Sequence, residues 1–404
     1  VVEKQKKIKE TGEKIITRDF ALLFASSFLF MGSLYLLIPI LSLYMKRVIG
    51  ISTTQVGILM GILTLSAMVF RPLAGKWIDS LGRRPVLALG AIDFAIFTPL
   101  YIVARGILTL PFILAMHGAG IAFFHTASLA MIGDRAPVKH RGKAMSWFQI
   151  SYNLAIMLAP VASQITIGTY DDRLSRYIPL FILSSALSLV ALVLILKISK
   201  NYYSPDLQHK IRLSSLSEKR VLASACISGF FGTMALGACE AFLALFAKKY
   251  QIPNFALFFT TTSFVIISIR LLFGSIPDLL GRKQTIMISL VIIGISMIVL
   301  SGSRTFLQIL IAAVVFGTGF TFLPPTISAL LSDTFKRDSL GRAFGVYTFF
   351  YEGGIAFGAI IMGPLTSAYS FRFSYLAVGL ITFFGSALFW LLFRQTEPKW
   401  KGRQ

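Results

Sequence analysis

The sequence predicts an all-α membrane protein, twelve transmembrane helices arranged as two pseudo-symmetric six-helix bundles, on three observations. The first is composition. Of 404 residues, 55% are hydrophobic and only 14% charged, with mean hydropathy +0.76, whereas charged residues make up about a quarter of an ordinary soluble domain. The second is a series of continuous apolar runs, each long enough to cross about 30 Å of hydrocarbon at about 1.5 Å per residue. The third is an internal repeat. The stretch Arg71-Pro-Leu-Ala-Gly75-Lys-Trp-Ile-Asp79-Ser-Leu-Gly82-Arg83-Arg84 returns 199 residues later as Arg270-Leu-Leu-Phe-Gly274-Ser-Ile-Pro-Asp278-Leu-Leu-Gly281-Arg282-Lys283. At the same offset Asp134, Gly142, Lys143, Ala144 and Tyr152 match Asp333, Gly341, Arg342, Ala343 and Tyr351.

Taken in order, the runs fall near 20–45, 55–74, 86–104, 108–131, 145–168, 177–197, 221–247, 255–276, 285–302, 305–331, 343–368 and 374–393. In lipid a backbone must satisfy its own polar groups, and barrel strands would alternate in polarity; unbroken runs therefore read as helices. The lysine-rich opening, 1–19, precedes a run too long for the apolar core of a cleaved signal, so the first run reads as a membrane helix. The expected division is a bundle over 1–197 with its basic N-terminal segment, a polar and basic linker over 198–220, and a second bundle over 221–404 with a short basic tail. Pro39, Pro99, Pro160, Pro324, Pro325 and Pro364 interrupt the hydrogen bonding of five of these helices. Such breaks bend a helix, and many bent helices simply pack.

A net charge of +22 raises the question of nucleic acid, but the placement of the charge argues for a bilayer. Most of the 39 Lys and Arg residues fall on the side of the N-terminus, the bias that retains loops in the cytoplasm. An integral protein of the plasma (inner) membrane with both termini cytoplasmic is expected, with no basic soluble face for nucleic acid. Cys226 and Cys239 share one apolar run, which reads as two buried small residues rather than a disulfide or metal framework.

A Gly-x3-Asp-x2-Gly-Arg-(Arg/Lys) hairpin after the second span, repeated after the eighth, resembles the major facilitator superfamily of secondary transporters over nearly the whole chain. The resemblance implies that Asp79, and likewise Asp278 in the second half, caps its helix end and pairs with a group of the neighbouring half. It also implies that the arginines that follow join an acid at the end of the fourth helix of their own half, Asp134 and Asp333 respectively. The whole set, Arg71, Gly75, Asp79, Gly82, Arg83, Arg84 and Asp134 with Arg270, Gly274, Asp278, Gly281, Arg282, Lys283 and Asp333, is expected to act as a cytoplasmic gate whose ion pairs break and reform between two states. The bland alternative is that the hairpins serve topology alone, against which the two aspartates count, since they dilute the positive charge. Within the family the twelve-span drug and metabolite exporters are nearest. Those exporters carry an arginine in helix 4 where this chain has Leu114, which puts proton antiport in question, and a glycine-rich run in helix 5 where this chain has Ala155, Ala159 and Pro160.

Away from the span ends, three acids lie in the apolar runs: Asp93, Glu240 and Glu352. A carboxylate in hydrocarbon is costly and marks a functional candidate, and burial favours the neutral form that a proton carrier needs. Glu352, about ten residues into helix 11, is expected near the midplane, with Asn153 as its mate in the repeat. Glu240 in helix 7 is expected about 10 Å from the outer surface and Asp93 in helix 3 about 10 Å from the inner one; for Asp93 a structural hydrogen bond is the favoured reading. His117 and His125, eight residues apart on helix 4, lie on adjoining faces. Each is a candidate proton relay or, more often for such residues, a hydrogen-bonded core group; they do not make a metal set. Tyr347, Phe349, Phe350 and Tyr351 flank Glu352 as lipid-facing packing or as walls of a pocket.

The expected function is secondary active transport of small organic molecules by alternating access, driven as proton-coupled efflux, by a monomer without cofactor. A symporter or passive facilitator for uptake, a lipid or amphiphile flippase and a membrane receptor without transport activity are the alternatives, because a fold does not set direction or coupling. Neither a phosphate-binding Gly-x4-Gly-Lys-(Ser/Thr) loop nor a nucleophile or zinc signature occurs, so neither ATP hydrolysis nor another enzyme activity is expected.

Overall fold

The computed structural model describes residues 16–104, 106, 108–136, 140–168, 173–199, 216–335 and 337–394. The lysine-rich opening up to residue 15, most of the expected linker and the basic tail from residue 395 lie outside the described residues. All regular structure among the described residues is helical. The membrane helices are α1 Arg18–Leu43, α2 Thr53–Leu81, α3 Arg83–Phe97, α4 Thr109–Arg135, α5 Arg141–Ile167, α6 Leu174–Leu196, α7 Leu216–Lys249, α8 Leu257–Phe273, α9 Arg282–Gly302, α10 Phe306–Thr334, α11 Arg337–Ala368 and α12 Phe371–Arg394.

Among the described residues eleven helices, counting the turns that extend α1 and α3, are long and apolar enough to span a bilayer, and α8 is a shorter apolar helix of 17 residues. The shortening has a local cause. Pro277 cannot donate to the carbonyl of Phe273 and its ring crowds that carbonyl, so the helix stops at Gly274 and restarts as the short helix Ile276–Leu280. Its repeat mate is Ile78, and there α2 runs unbroken for 29 residues to Leu81. The hairpins proper therefore shrink to Gly82 and Gly281, whose φ angles of 91° and 86° belong to the left-handed region that glycine alone enters without strain.

Other prolines leave orphaned carbonyls that neighbours satisfy. Pro99 removes the amide that would bond the carbonyl of Ala95, and α3 tightens there into the 3-10 turn Thr98–Ile102. The hydroxyl of Ser185 on α6 donates to that carbonyl at 2.7 Å. Pro325 likewise frees the carbonyl of Thr321, which receives the Arg270 guanidinium at 3.5 Å. In lipid no water can fill this role, so a polar side chain from the next helix does. At the start of α10, Thr305 and Gln308 form a capping box.

The chain groups into two units. In the first, residues 1–44 and 66–205, α1 packs on α5 and α6, and α3 on α4 and α6. In the second, residues 45–65 and 206–404, α7 packs on α11 and α12, and α9 on α10 and α12. The same four partnerships thus recur, as duplication of a six-helix unit requires. Met45–Leu65, the start of α2, groups with the second unit because glycines let it close on α11. A Cβ at Gly57 would lie 2.7 Å from the carbonyl oxygen of Ala359, and the hydroxyls of Thr54 and Ser367 meet at 3.0 Å.

The tightest seam is α7 against α11. A Cβ on Gly237 would stand 2.0 Å from the Ile355 carbonyl oxygen, one on Gly354 2.2 Å from that of Phe230, and one on Gly358 2.0 Å from that of Met234. Small residues are what allow two membrane helices to touch backbone to backbone. Across this seam Thr233 Oγ1 donates to the carbonyl of Tyr351 at 2.7 Å.

Candidate functional site

The polar groups that could serve transport fall into three sets. The first lies at the arginine-bearing ends of α2 and α8. Arg83 opens α3, and its Nε donates to Asp134 Oδ2, near the end of α4, at 2.7 Å; its Nη1 reaches the carbonyl of Ile78 at 3.4 Å. In the repeat, Arg282 is shared: Nη1 lies 2.6 Å from Asp278 Oδ1 and Nε 3.4 Å from Asp333 Oδ2. Both arginine-to-helix-end contacts suggested by the repeat are therefore present as geometry. The two aspartates of the hairpins differ, however. Asp278 pairs with its own arginine, whereas Asp79 is exposed and, among the described residues, has no ion pair. Arg84 donates to the carbonyl of Leu196, and Lys283 lies over the ring of Phe393 at 5.6 Å. Gly75 meets no neighbour that a Cβ would touch, whereas one on Gly274 would lie 2.7 Å from the Arg270 carbonyl oxygen.

The second set is built on Arg71, which opens the repeated motif yet lies inside the second apolar run; its mate Arg270 lies in the last turn of α8. Because α2 extends to Leu81, Arg71 sits ten residues before its end, about 15 Å into the span. There Nη1 meets His125 Nδ1 on α4 at 3.5 Å. The His125 ring tilts against Tyr152 of α5 at 5.5 Å, and the Tyr152 hydroxyl bonds the hydroxyl of Ser128 at 2.9 Å. Arg71, His125, Ser128 and Tyr152 thus form one polar cluster within the first unit. Its sequence signal was available: Arg71 is flanked on both sides by apolar residues, as an intramembrane base would be.

His117 belongs to a separate network. Its Nε2 bonds Thr98 Oγ1 and its Nδ1 bonds the Tyr101 hydroxyl, each at 3.1 Å, and Tyr44 donates in turn to the carbonyl of Tyr101. With both ring nitrogens engaged, 2% exposure and the Phe94 ring tilted against it at 4.4 Å, this is the geometry of a hydrogen-bonded core histidine. The helical offset of eight residues sends the two histidines to different neighbours.

The third set is the acids. Asp93 lies ten residues into α3, about 15 Å from its start rather than about 10 Å, because α3 begins at Arg83. Its carboxylate faces Gly120 of α4, where a Cβ would come within 2.4 Å of Oδ2. Among the described residues that oxygen is buried without a hydrogen-bond partner. Glu240 and Glu352 are both 9% exposed and stand on the two helices of the glycine seam. The α11 helix begins at Arg337, five residues earlier than expected, and runs 32 residues. Glu352 is then about 22 Å along a helix of about 48 Å, still near its middle. The seam positions it: Gly354 and the Thr233 to Tyr351 bond hold the main chain on either side. Asn153, in the first unit, is 7% exposed and donates its amide to the Gln149 carbonyl of its own helix at 3.1 Å.

Of the rings near Glu352, Phe349 and Phe350 are outward, at 51% and 40% exposure, while Tyr347 is buried and packs on Gly229, where a Cβ would lie 2.7 Å from its ring. Cys226 and Cys239 are free and buried.

Comparison with known proteins agrees with the repeat and the helical pairings. The chain is 24% identical over 384 residues to the Multidrug resistance protein 2 of Bacillus subtilis (strain 168), covering 91% of this chain and 94% of that one. It is also 24% identical over 338 residues to the Multidrug resistance protein 1 of the same organism, covering 82% and 85%. A crystal structure of a peptide transporter POT in complex with sulfate superposes with a TM-score of 0.78 at 13% identity, over 94% of this chain and 95% of that one; that likeness concerns the fold. The family model described as Major Facilitator Superfamily matches residues 23–276 and again 225–403, so that nearly every helix described above falls within it, and the chain belongs to the Major Facilitator Superfamily.

Proposed function

We propose that this membrane transporter exports small organic molecules in exchange for protons. The observation that carries the reading is the pair of acids Glu240 and Glu352, buried on the two helices of the glycine seam in a chain whose curated relatives are named for multidrug resistance. An ionisable group kept in hydrocarbon costs stability and persists where it binds a substrate or moves a proton. Glu352 is assigned the proton, and Glu240 a supporting role in proton or substrate binding. Asn153, His125 and Arg71 supply polar groups in the first unit, and His117 is assigned to structure; Asp93, whose Oδ2 lacks the structural hydrogen bond expected of it among the described residues, is kept as a further proton candidate. The charged contacts at the hairpin ends, Arg83 with Asp134 and Arg282 with Asp278 and Asp333, serve as the inner gate, whose making and breaking biases alternating access. The charge bias supports a cytoplasmic position for both termini.

The test is purified protein in liposomes with a pH gradient and a panel of fluorescent lipophilic cations, following internal pH. Wild type is expected to move protons when substrate is added, and Glu352→Gln to lose that movement while still inserting and binding substrate. Equal flux without a gradient and in the variant would replace antiport by facilitated diffusion. One observation favours that second reading: Leu114 stands where related exporters carry an arginine.

A further inference from the structure

At the arginine-bearing end of the first unit a cavity of about 460 Å³ opens between the end of α2, the first turns of α3 and the ends of α4 and α6. Three guanidinium groups line it, Arg83, Arg84 and Arg135, and Leu81, Met131 and Leu196 give it apolar walls. Two of the arginines are committed. Arg83 holds Asp134, and Arg135 holds Asp19 at 2.5 Å while donating to the carbonyl of Ser199 at 2.7 Å. The third, Arg84, donates to the carbonyl of Leu196, and no carboxylate among the described residues lies within ion-pairing distance of it. Among the described residues, three guanidinium groups at the wall meet two carboxylates, Asp134 and Asp19.

The repeat shows that the hairpin does not itself demand this arrangement. At the place of Arg84 the second copy has Lys283, whose charge lies over Phe393, and at the place of Arg135 it has Thr334. The surplus guanidinium is a property of the first unit alone. Leu81 and Leu196 at the cavity are 56% and 54% exposed, so a ligand with an apolar part would cover them. Since α2, α4 and α6 all end here, the cavity lies where hydrocarbon gives way to headgroups.

We propose that this cavity binds the phosphodiester headgroup of an anionic phospholipid, with Arg84 as the principal contact and an acyl chain along Leu81 and Leu196. A guanidinium presents a fork of donors that matches two phosphate oxygens, and basic pockets between membrane helices are suited to lipid phosphates. The assignment stands apart from the transported substrate and from proton coupling.

The experiment is native mass spectrometry of the purified full chain after mild delipidation, with thermal unfolding in nanodiscs of phosphatidylglycerol, in nanodiscs of phosphatidylcholine, and in detergent with inorganic phosphate. Wild type is expected to retain phosphatidylglycerol and to unfold at a higher temperature in that lipid than in phosphatidylcholine. Arg84→Gln is expected to retain about tenfold less, the loss of one charge-assisted contact. Arg84→Lys, which keeps the charge but not the fork, is expected to fall between, and Lys283→Gln to retain as much as wild type. Equal stabilisation of wild type by the two lipids would overturn the proposal, as would undiminished retention in Arg84→Gln. Inorganic phosphate alone matching phosphatidylglycerol would overturn the lipid as the source. Should Arg84→Gln fail to fold, the wild-type comparison of the two lipids still decides.

Discussion

Arg83 Nε and Asp134 Oδ2 meet at 2.7 Å, tying the first turn of α3 to the last turn of α4, while the equivalent Arg282 divides itself between Asp278 and Asp333. One arginine therefore has one carboxylate and its mate has two. The difference leaves Asp79 without an ion pair among the described residues. An exposed carboxylate with no ion pair among the described residues adds little to the stability of the state described here, and the proposed gate assigns its use to another state.

Asp79→Asn is accordingly expected to lower transport severalfold without loss of membrane insertion or of unfolding temperature. Asp278→Asn, which breaks a pair with Arg282, is expected to shift unfolding slightly as well, by the about 0.2–1 kcal/mol typical of exposed pairs. Transport assays and thermal unfolding of both variants check this; full activity in Asp79→Asn would remove the gate reading.

Exchanging the partners offers a sharper check. Arg83→Asp and Asp134→Arg singly are each expected to lower transport. The double variant is expected to recover part of it, since the opposite charges again face each other. No recovery would mean that the pair serves retention of the loop rather than gating.

Ser185 and Pro99 are expected to be coupled. Ser185→Ala removes the donor to the Ala95 carbonyl and should destabilise by about 1 kcal/mol. In a Pro99→Ala background the helix regains its own amide donor, so the same serine change should cost much less. A double-mutant cycle on unfolding in detergent measures the difference; additivity would argue against the hydroxyl's role.

The seam that carries Glu352 is expected to be intolerant of bulk. Gly358→Ala would place a carbon 2.0 Å from the Met234 carbonyl oxygen and force α7 and α11 apart, at a cost of about 1–3 kcal/mol. Gly302→Ala, where a Cβ meets nothing within 4 Å, is the control. Similar unfolding temperatures for the two variants would contradict the close approach.

How much of this was legible beforehand follows from the reach of each signal. Periodicity of composition along one chain announced twelve apolar segments, and a fixed offset of 199 residues announced duplication; both are one-dimensional, and the helices and their repeated partnerships agree with them. Gly82 and Gly281 could be placed at turns because their motif ends each apolar run. The helix ends were less visible. Arg71 opens the charged motif that marks the hairpin, yet α2 winds past it for ten more residues, since one charged side chain with a neighbour costs less than unwinding a helix in lipid.

What the chain alone determined is that it lies in a bilayer, is all helical, is built twice, and carries three acids where hydrocarbon should be. What only the tertiary structure decided is which of its polar groups face one another. Arg71 against His125 and Ser185 against the carbonyl that Pro99 abandons are pairings of residues far apart in sequence. The reason is physical: burial in lipid drives polar groups to find partners, but which partner is set by how closely helices approach, and that depends on small residues on two helices at once.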